Sequence, residues 1–368
     1  MTRPPVHAPW RPNVLLLQLL AVSTLLLAAC SGSETSAGDA TEGGGSGSSP
    51  AASAPPADAE SDALTVYSGR SEELVGPFLE RFTEATGIEI DVRYGDTAEV
   101  AATILEEGDN SPADVYFGQD AGALGALDKE GVLAELPGDL TGLVDERFRS
   151  EDGTWVGVSG RARVLVYSTE LVSEGELPDS VLDLTGPEWA GRVGWAPTNG
   201  SFQAFITAMR LTLGDEATQQ WVEDMIANDV QVFENNSTQV TAAGAGEIAI
   251  GLVNHYYLFG ALAEDPDLPA ANHYLTGGDP GALVNVAGAG ILATSDQPDE
   301  STELVRYMLS EEGQTYFAEE TYEYALVDGV SNSADLPPLD EVQAPDVDLN
   351  DLDDLAGTLE LLQAAGAL

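Results

Sequence analysis

Leu64-Thr65-Val66-Tyr67-Ser68-Gly69-Arg70-Ser71, together with the residues that follow it, decides the fold. Residues 64–67 read as a short strand. Ser71 is a residue type that caps helices, and Leu74, Phe78 and Phe82 then recur at four-residue spacing until Gly87 supplies a stop, which predicts a helix over 71–86. Residues 88–92 alternate apolar and polar side chains as a strand does. A helix over 97–107 ends at Gly108, residues 113–117 form an apolar run that suits a buried strand, and 121–131 read as a third helix. Strand and helix in strict alternation predict an α/β protein with mostly parallel sheets.

The same style continues outward. Strands are expected at 154–158, 163–167, 192–195, 230–233, 248–253 and 284–294. Helices are expected at 202–213, at 216–228 with Trp221, Met225 and Ile226 on one face, at 237–245, at 257–263 and over a long stretch at 300–322. A folded body running from 63 to 368 is long enough for two lobes. The expected division is 63–163 plus 286–328 for the first lobe and 164–285 plus 329–368 for the second, joined by a hinge.

The start of the chain reads differently. Arg3 and Arg11 precede an apolar run over 14–29, and the only cysteine, Cys30, follows Leu27-Ala28-Ala29. This pattern resembles a bacterial lipobox, so residues 1–29 are expected to be a signal peptide and Cys30 the lipidated first residue of the mature chain. Ser, Gly, Ala and Pro fill 24 of the 32 positions from 31 to 62. Such a stretch buries too little apolar surface to fold and reads as a tether with a reach of roughly 30 Å. A single cysteine also excludes an intrachain disulfide.

Charge narrows the classes of partner. There are 63 acidic residues against 13 basic ones, of which only Lys129 is lysine, for a net charge of −50. A chain so negative is repelled by nucleic acid and by anionic membrane surfaces, which leaves the lipid as the expected contact with the membrane. The acids are spread along the whole body, as expected for a protein kept soluble at high salt. The run Asp346-Val347-Asp348-Leu349-Asn350-Asp351 begins like a calcium loop, but Asp351 and Gly357 stand where glycine and a carboxylate are required, so it reads as a capped connection to the last helix. Catalytic motifs are missing: there is no G-x-S-x-G, no H-E-x-x-H and no cysteine nucleophile, and neither His255 nor His273 accompanies a serine motif. The expectation is a binding protein and not an enzyme.

The candidate binding chemistry lies at Tyr256-Tyr257, where an apolar run over 248–253 ends. Phenolates are hard anionic oxygen donors and suit hard cations. A tyrosine pair alone reads first as two half-buried aromatics with their hydroxyls in water, and the rest of the chain must carry the metal reading. Neighbours in a strand point to opposite faces, so for both to meet one ion the backbone must turn between Asn254 and Tyr257.

Six blocks along the chain resemble the ferric-iron-binding receptors of ABC importers, which have a two-lobed, type II periplasmic-binding-protein fold. They are Leu64-Thr65-Val66-Tyr67-Ser68-Gly69-Arg70, Ser111-Pro112-Ala113-Asp114-Val115, Ser159-Gly160-Arg161-Ala162-Arg163-Val164-Leu165-Val166-Tyr167, Pro187-Glu188-Trp189-Ala190-Gly191-Arg192-Val193-Gly194, Val253-Asn254-His255-Tyr256-Tyr257 and Gly278-Asp279-Pro280-Gly281-Ala282-Leu283-Val284. The resemblance implies Fe(III) as transported ligand, held by Tyr256 and Tyr257 with Tyr167 as third phenolate. It also implies a synergistic carbonate or phosphate and an ABC permease as partner, with the receptor a monomer on the outer face of the cell membrane. The anion would be met by Arg70, Arg161 and Arg163, by the turn Asn199-Gly200-Ser201, and by Asn236 and Asn254. Ser71 and Gln119 stand where some relatives place a histidine and a carboxylate ligand; both are carried as anion contacts. A receptor of the same fold for another solute, such as a polyamine, thiamine or an oxyanion, is the alternative; a polyamine would want carboxylates in the cleft and not three arginines.

Overall fold

The computed structural model describes residues 63–332, 336–339 and 341–368. Cys30, the signal peptide and the tether lie outside the described residues. The body opens with β1 (Leu64–Ser68), α1 (Glu72–Thr86), β2 (Ile90–Tyr94), α2 (Thr97–Glu107), β3 (Val115–Gly118), α3 (Ala121–Lys129) and a single turn, α4 (Gly138–Thr141). β1 pairs in parallel with β2 on one side and β3 on the other. Gly87 caps α1 in the left-handed conformation, φ 78°, and its N–H reaches Thr83 O, as the four-residue spacing followed by glycine requires. One side of α1 is buried through Val75, Phe78, Leu79 and Phe82.

β4 (Trp155–Ser168) is the spine of the molecule. Two strands expected at 154–158 and 163–167 are one buried strand of 14 residues. Its first part pairs antiparallel with β9 (Val284–Ile291), through Ala162↔Val284. From Arg163 onward it pairs with β7 (Ile250–Asn254) and β8 (Ala270–His273). β5 (Val193–Trp195) pairs in parallel with β7 and with β6 (Gln231–Val232). The outer strands are thus parallel and the crossing strands antiparallel, in the order β2-β1-β3-β9-β4-β7-β5-β6. α5 (Gly200–Leu213), α6 (Asp215–Ala227), α7 (Asn236–Gly244) and α8 (Tyr256–Glu264) belong to the second half.

The long helix expected over 300–322 is two, α9 (Pro298–Met308) and α10 (Glu311–Glu319). Ser310 breaks it by capping: its Oγ accepts from Gly313 N–H, which starts a new helix. A short β10 (Tyr324–Ala325) then pairs with β4 at Ser159 and Gly160. The acidic run ends as a 3-10 turn, Leu349–Asp353, leading to α11 (Leu355–Ala365).

Apolar side chains gather in three clusters. One holds β1, β3, the first part of β4, β9 and the faces of α1, α9 and α10, and Leu336, Leu349 and Leu352 of the tail join it. Two others flank the second part of β4: Leu165 and Tyr167 look into one, with Trp195, Phe205 and Trp221, while Val164 and Val166 look into the other, with Val240 and Val253. That split is the two-fold alternation of a strand with both faces covered. The tail after 329 therefore does not pack wholly with the second half, where the sequence division places it.

His255 ties the crossing together. Its backbone N–H donates to Ala162 O at 3.0 Å, and its ring Nδ1 accepts from Ala162 N–H at 3.1 Å. The Nε2–H tautomer then donates to Tyr322 O at 2.9 Å. Burial pushes the imidazole down to about 4. A neutral histidine buried in this way contributes stability above its ordinary value of about 6.5, and that contribution is lost as pH falls from there toward 4, by on the order of 3 kcal/mol when complete. Denaturant titrations at stepped pH should show a shallower loss of stability between pH 6.5 and 5 for His255→Gln than for the parent; equal slopes would exclude His255 as the group that titrates.

Candidate anion and metal site

The backbone turns where the tyrosine pair requires it. β7 ends at Asn254, His255 is already helical at φ −57°, ψ −38°, and Tyr256 and Tyr257 open α8. Their rings lie side by side, centroids 4.3 Å apart and tilted by 32°. Tyr256 is 3% exposed, and its hydroxyl has no hydrogen-bond partner among the described residues. Burial and the Tyr256 phenol beside it push the Tyr257 phenol well above its ordinary value, with Arg70 and Arg161 pulling the other way. No group of three or more His, Cys, Asp or Glu side chains among the described residues is placed to hold a metal ion. The hard donors on offer here are phenols.

Three buried guanidiniums surround the pair, and each is used differently. Arg70, in the turn between β1 and α1, gives both terminal nitrogens to Glu323, at 2.9 and 2.7 Å, and only its Nε lacks a partner. Gly69 lets this turn approach α2, since a Cβ there would sit 2.6 Å from Thr97 Oγ1. Glu323 also accepts from Thr321 Oγ1 at 2.9 Å. Burial opposes the charge on both members of the pair, and mutual attraction outweighs it: Arg70 is raised and Glu323 lowered. Arg163 lies over the rings of Phe202 and Phe205 and donates to Ser201 O and Leu252 O at 3.4 and 3.0 Å. Burial, with Arg161 adding repulsion, brings it down to about 9, so it stays charged at neutral pH.

Arg161 is the exception. It is 1% exposed, and neither of its terminal nitrogens has a partner among the described residues. Burial lowers its basicity, while Tyr256 and Asp120 support the charge. A guanidinium with its whole fork free is the geometry that takes a carboxylate, carbonate or phosphate bidentately. Asp120, which caps α3 through Ala123 N–H, is raised by burial against the pull of Arg161.

The asparagines complete a polar seam. Asn199 caps α5, its Oδ1 accepting from Ser201 N–H at 3.1 Å, Ser201 Oγ at 2.6 Å and Asn236 Nδ2 at 3.2 Å. Asn236 Oδ1 accepts from Asn254 N–H at 3.2 Å, and Asn254 Nδ2 is buried without a partner. These bonds link the starts of α5 and α7 to the end of β7, two residues ahead of α8, and helix starts favour anions. Gln119, between β3 and α3, also keeps a buried Nε2 without a partner.

Two expected residues stand apart. Tyr167 lies four residues beyond Arg163 on β4, opposite Ile250 and Ala271. That is roughly 13 Å along the strand. Its ring packs in the second cluster, and burial with Glu174 nearby raises its phenol. The structure does not bring it to the pair, because a ligand four residues down an extended strand is carried away from the strand end where α8 begins. Ser71 is exposed at the start of α1 and makes no side-chain cap. Conversely, Glu323, Asp120 and His255 were not among the expected site residues. Only the capping position of Asp120 ahead of an apolar helix is a usable sequence signal; Glu323 is one carboxylate among 63 acidic residues.

Removing one member of the Arg70–Glu323 pair leaves a fully buried charge without its partner, which costs about 3–5 kcal/mol, whereas replacing both by apolar groups costs far less. Equilibrium unfolding of Glu323→Leu, Arg70→Met and the double variant Arg70→Met/Glu323→Leu should give a strongly non-additive cycle. Additive losses would mean that the pair does not form.

A family model described as bacterial extracellular solute-binding protein matches residues 100–353. The chain is 32% identical over 308 residues to the Fe(3+)-binding periplasmic protein of Serratia marcescens, covering 83% of this chain and 90% of that one. It is also 32% identical over 310 residues to the major ferric iron-binding protein of Neisseria meningitidis serogroup B, covering 82% and 92%. Among solved structures, iron-bound HitA from Pseudomonas aeruginosa aligns with a TM-score of 0.80 at 34% identity, over 83% of this chain and 99% of that one. Trichodesmium IdiA (FutA), solved with iron and citrate ligands, aligns with a TM-score of 0.71 at 26% identity, over 83% and 99%. The α/β architecture is that of the type II periplasmic binding proteins, and the chain belongs to the bacterial extracellular solute-binding protein family.

Proposed function

We propose that the protein is an extracytoplasmic receptor that binds Fe(III) through the phenolates of Tyr256 and Tyr257, together with an anion held by Arg161, and delivers it to an ABC permease. The observation that carries this reading is a pair of adjacent phenols, Tyr256 buried and Tyr257 half-buried, with a buried guanidinium in electrostatic range whose fork has no partner among the described residues. Two phenolates leave a ferric ion with one positive charge in excess, and Arg161 and Arg163 add more. A carbonate, phosphate or citrate dianion or trianion supplies the balance and the remaining oxygen donors. Asn254 Nδ2, Gln119 Nε2 and the starts of α5, α7 and α8 are the further donors available to it. Arg70 acts at a distance, because Glu323 occupies its fork.

The relatives whose names specify iron support the cargo, and the three cationic groups disfavour a polyamine. The protein performs no reaction on its cargo in this reading. The two halves that share β4 and β9 act as lobes closing on the ion. Cys30 carries the lipid, residues 31–62 tether the body to the outer face of the membrane, the receptor works as a monomer, and the acidic surface suits a high-salt habitat.

Iron must displace phenol protons. Tyr257 holds its proton more tightly than a free tyrosine, so apparent affinity falls as pH falls. Adding ferric citrate to the protein should produce a visible phenolate-to-iron absorption band that weakens on acidification. Tyr256→Phe and Tyr257→Phe should each abolish or strongly shift the band, while Tyr167→Phe leaves it in place. A parent protein without the band, or with a band that survives both substitutions, would overturn the assignment. Arg161→Gln should retain the band only at much higher added anion; an unchanged anion requirement would place the anion elsewhere.

A further inference from the structure

The tail of the chain fastens together two helices whose first residues meet at the site. α3 starts beside Asp120 and α5 starts at Gly200, and the Asp120 carboxylate lies 3.4 Å from where a Cβ on Gly200 would be. At its opposite end α3 finishes with Lys129, and Arg210 stands in the last turn of α5. Residues 349–354 run between the two. A Cβ on Gly122 would lie 2.6 Å from Leu352 O, so the glycine is what lets the tail lie directly on α3.

Two consecutive carboxylates then take opposite anchors. Asp353 receives Lys129 Nζ at 2.7 Å, across to α3. Asp354 receives Arg210 Nη2 at 2.8 Å, and its carbonyl accepts Arg210 Nη1 at 3.1 Å, across to α5. Asp354 also caps α11 through Gly357 N–H at 3.0 Å. α11 is fixed to the second half: Leu361 and Leu362 join its apolar cluster, and Thr358 Oγ1 meets Thr207 Oγ1 at 2.8 Å. One peptide bond therefore separates an attachment to α3 from an attachment to α5. The backbone at Asp354, φ −83° and ψ 57°, lies near the inverse γ-turn. The chain's only lysine is placed at this point.

We propose that Asp353 and Asp354 form a clasp that sets the spacing of α3 and α5 and thereby the width of the cleft at their N-termini, with Lys129 and Arg210 as its positioning partners. The proposal rests on the two-lobe reading and not on the identity of the cargo. If the halves move apart, α3 and α5 separate, and the tail must release one of its two anchors or bend at Asp354. The clasp thus favours the closed form and slows loss of a bound ion. Because each pair has one exposed member, Lys129 and Asp354, the effect is modest and partly screened by salt.

The test is the double variant Asp353→Asn/Asp354→Asn, in which the asparagine amide introduced by the second substitution still caps α11. Small-angle scattering of the unloaded protein should show a larger radius of gyration than the parent at low salt. Release of Fe(III) to excess chelator, followed through the visible band, should be roughly two- to tenfold faster, the range for loss of two partly exposed ion pairs. The melting temperature should change little. Lys129→Asp, which breaks one pair and leaves Asp354 in place, should shift both readouts the same way, and the charge swap Lys129→Asp/Asp353→Lys should recover most of the parent behaviour; this pair of variants also serves if the double variant folds poorly. Unchanged scattering and release, or a swap that behaves no better than the broken pair, overturns the clasp. If the parent shows no iron band, the iron assignment fails by itself, and the scattering comparison still decides the clasp.

Discussion

Burying three guanidinium groups beside two phenols is the constraint that the rest of this structure answers. An unpaired ion in a protein interior is expensive, and the fold relieves two of the three, each in its own way. Arg70 is relieved by a carboxylate in bidentate contact, and Arg163 by two carbonyls and two aromatic faces. Arg161 is left with Tyr256 and Asp120 as the groups that support its charge and with its fork unpartnered. A fold that leaves one such group unrelieved while relieving the other two has a site where an anion lowers the free energy of the protein itself. That is how an anion and a cation come to bind together: each removes a penalty that the other would meet alone.

β4 is the means by which these groups reach one place. Its first part belongs to the sheet with β9 and its second to the sheet with β7, and Arg161 and Arg163 stand on either side of the change of partner. The same point is fixed from outside by His255, which spans Ala162 and Tyr322. Tyr322 precedes Glu323, which holds Arg70, and His255 precedes Tyr256. The tyrosine pair, the crossing strand and the buried ion pair are thus joined within a few bonds.

The clasp at the tail gives this arrangement a second point of control. The crossing strands bring the halves together on one side of the cleft, and residues 349–354 join α3 to α5 through consecutive acids. In a chain of such negative charge, two acids placed against the single lysine and an arginine are a local reversal of the general repulsion.

The alternation of strands and helices, the start of α1 after Ser71 and its stop at Gly87, and the turn demanded by adjacent tyrosines were all readable from the sequence, because periodicity and helix-end signals are local properties. The family resemblance also named Tyr256, Tyr257, Arg161, Arg163, Asn199, Asn236 and Asn254 together, and hydrogen bonds do link Asn199, Asn236 and Asn254. Tertiary structure alone decided which arginine keeps a free fork, because that depends on Glu323, 253 positions away from Arg70. It alone removed Tyr167 from the pair, since sharing a strand face with Arg163 says nothing of the distance to a helix that begins at the other end. It alone joined two short strands into β4 and divided one long helix at Ser310. Composition hid the partners: with acids spread along the whole chain, no local pattern tells which carboxylate will be drawn inside, and only the packed structure makes that choice.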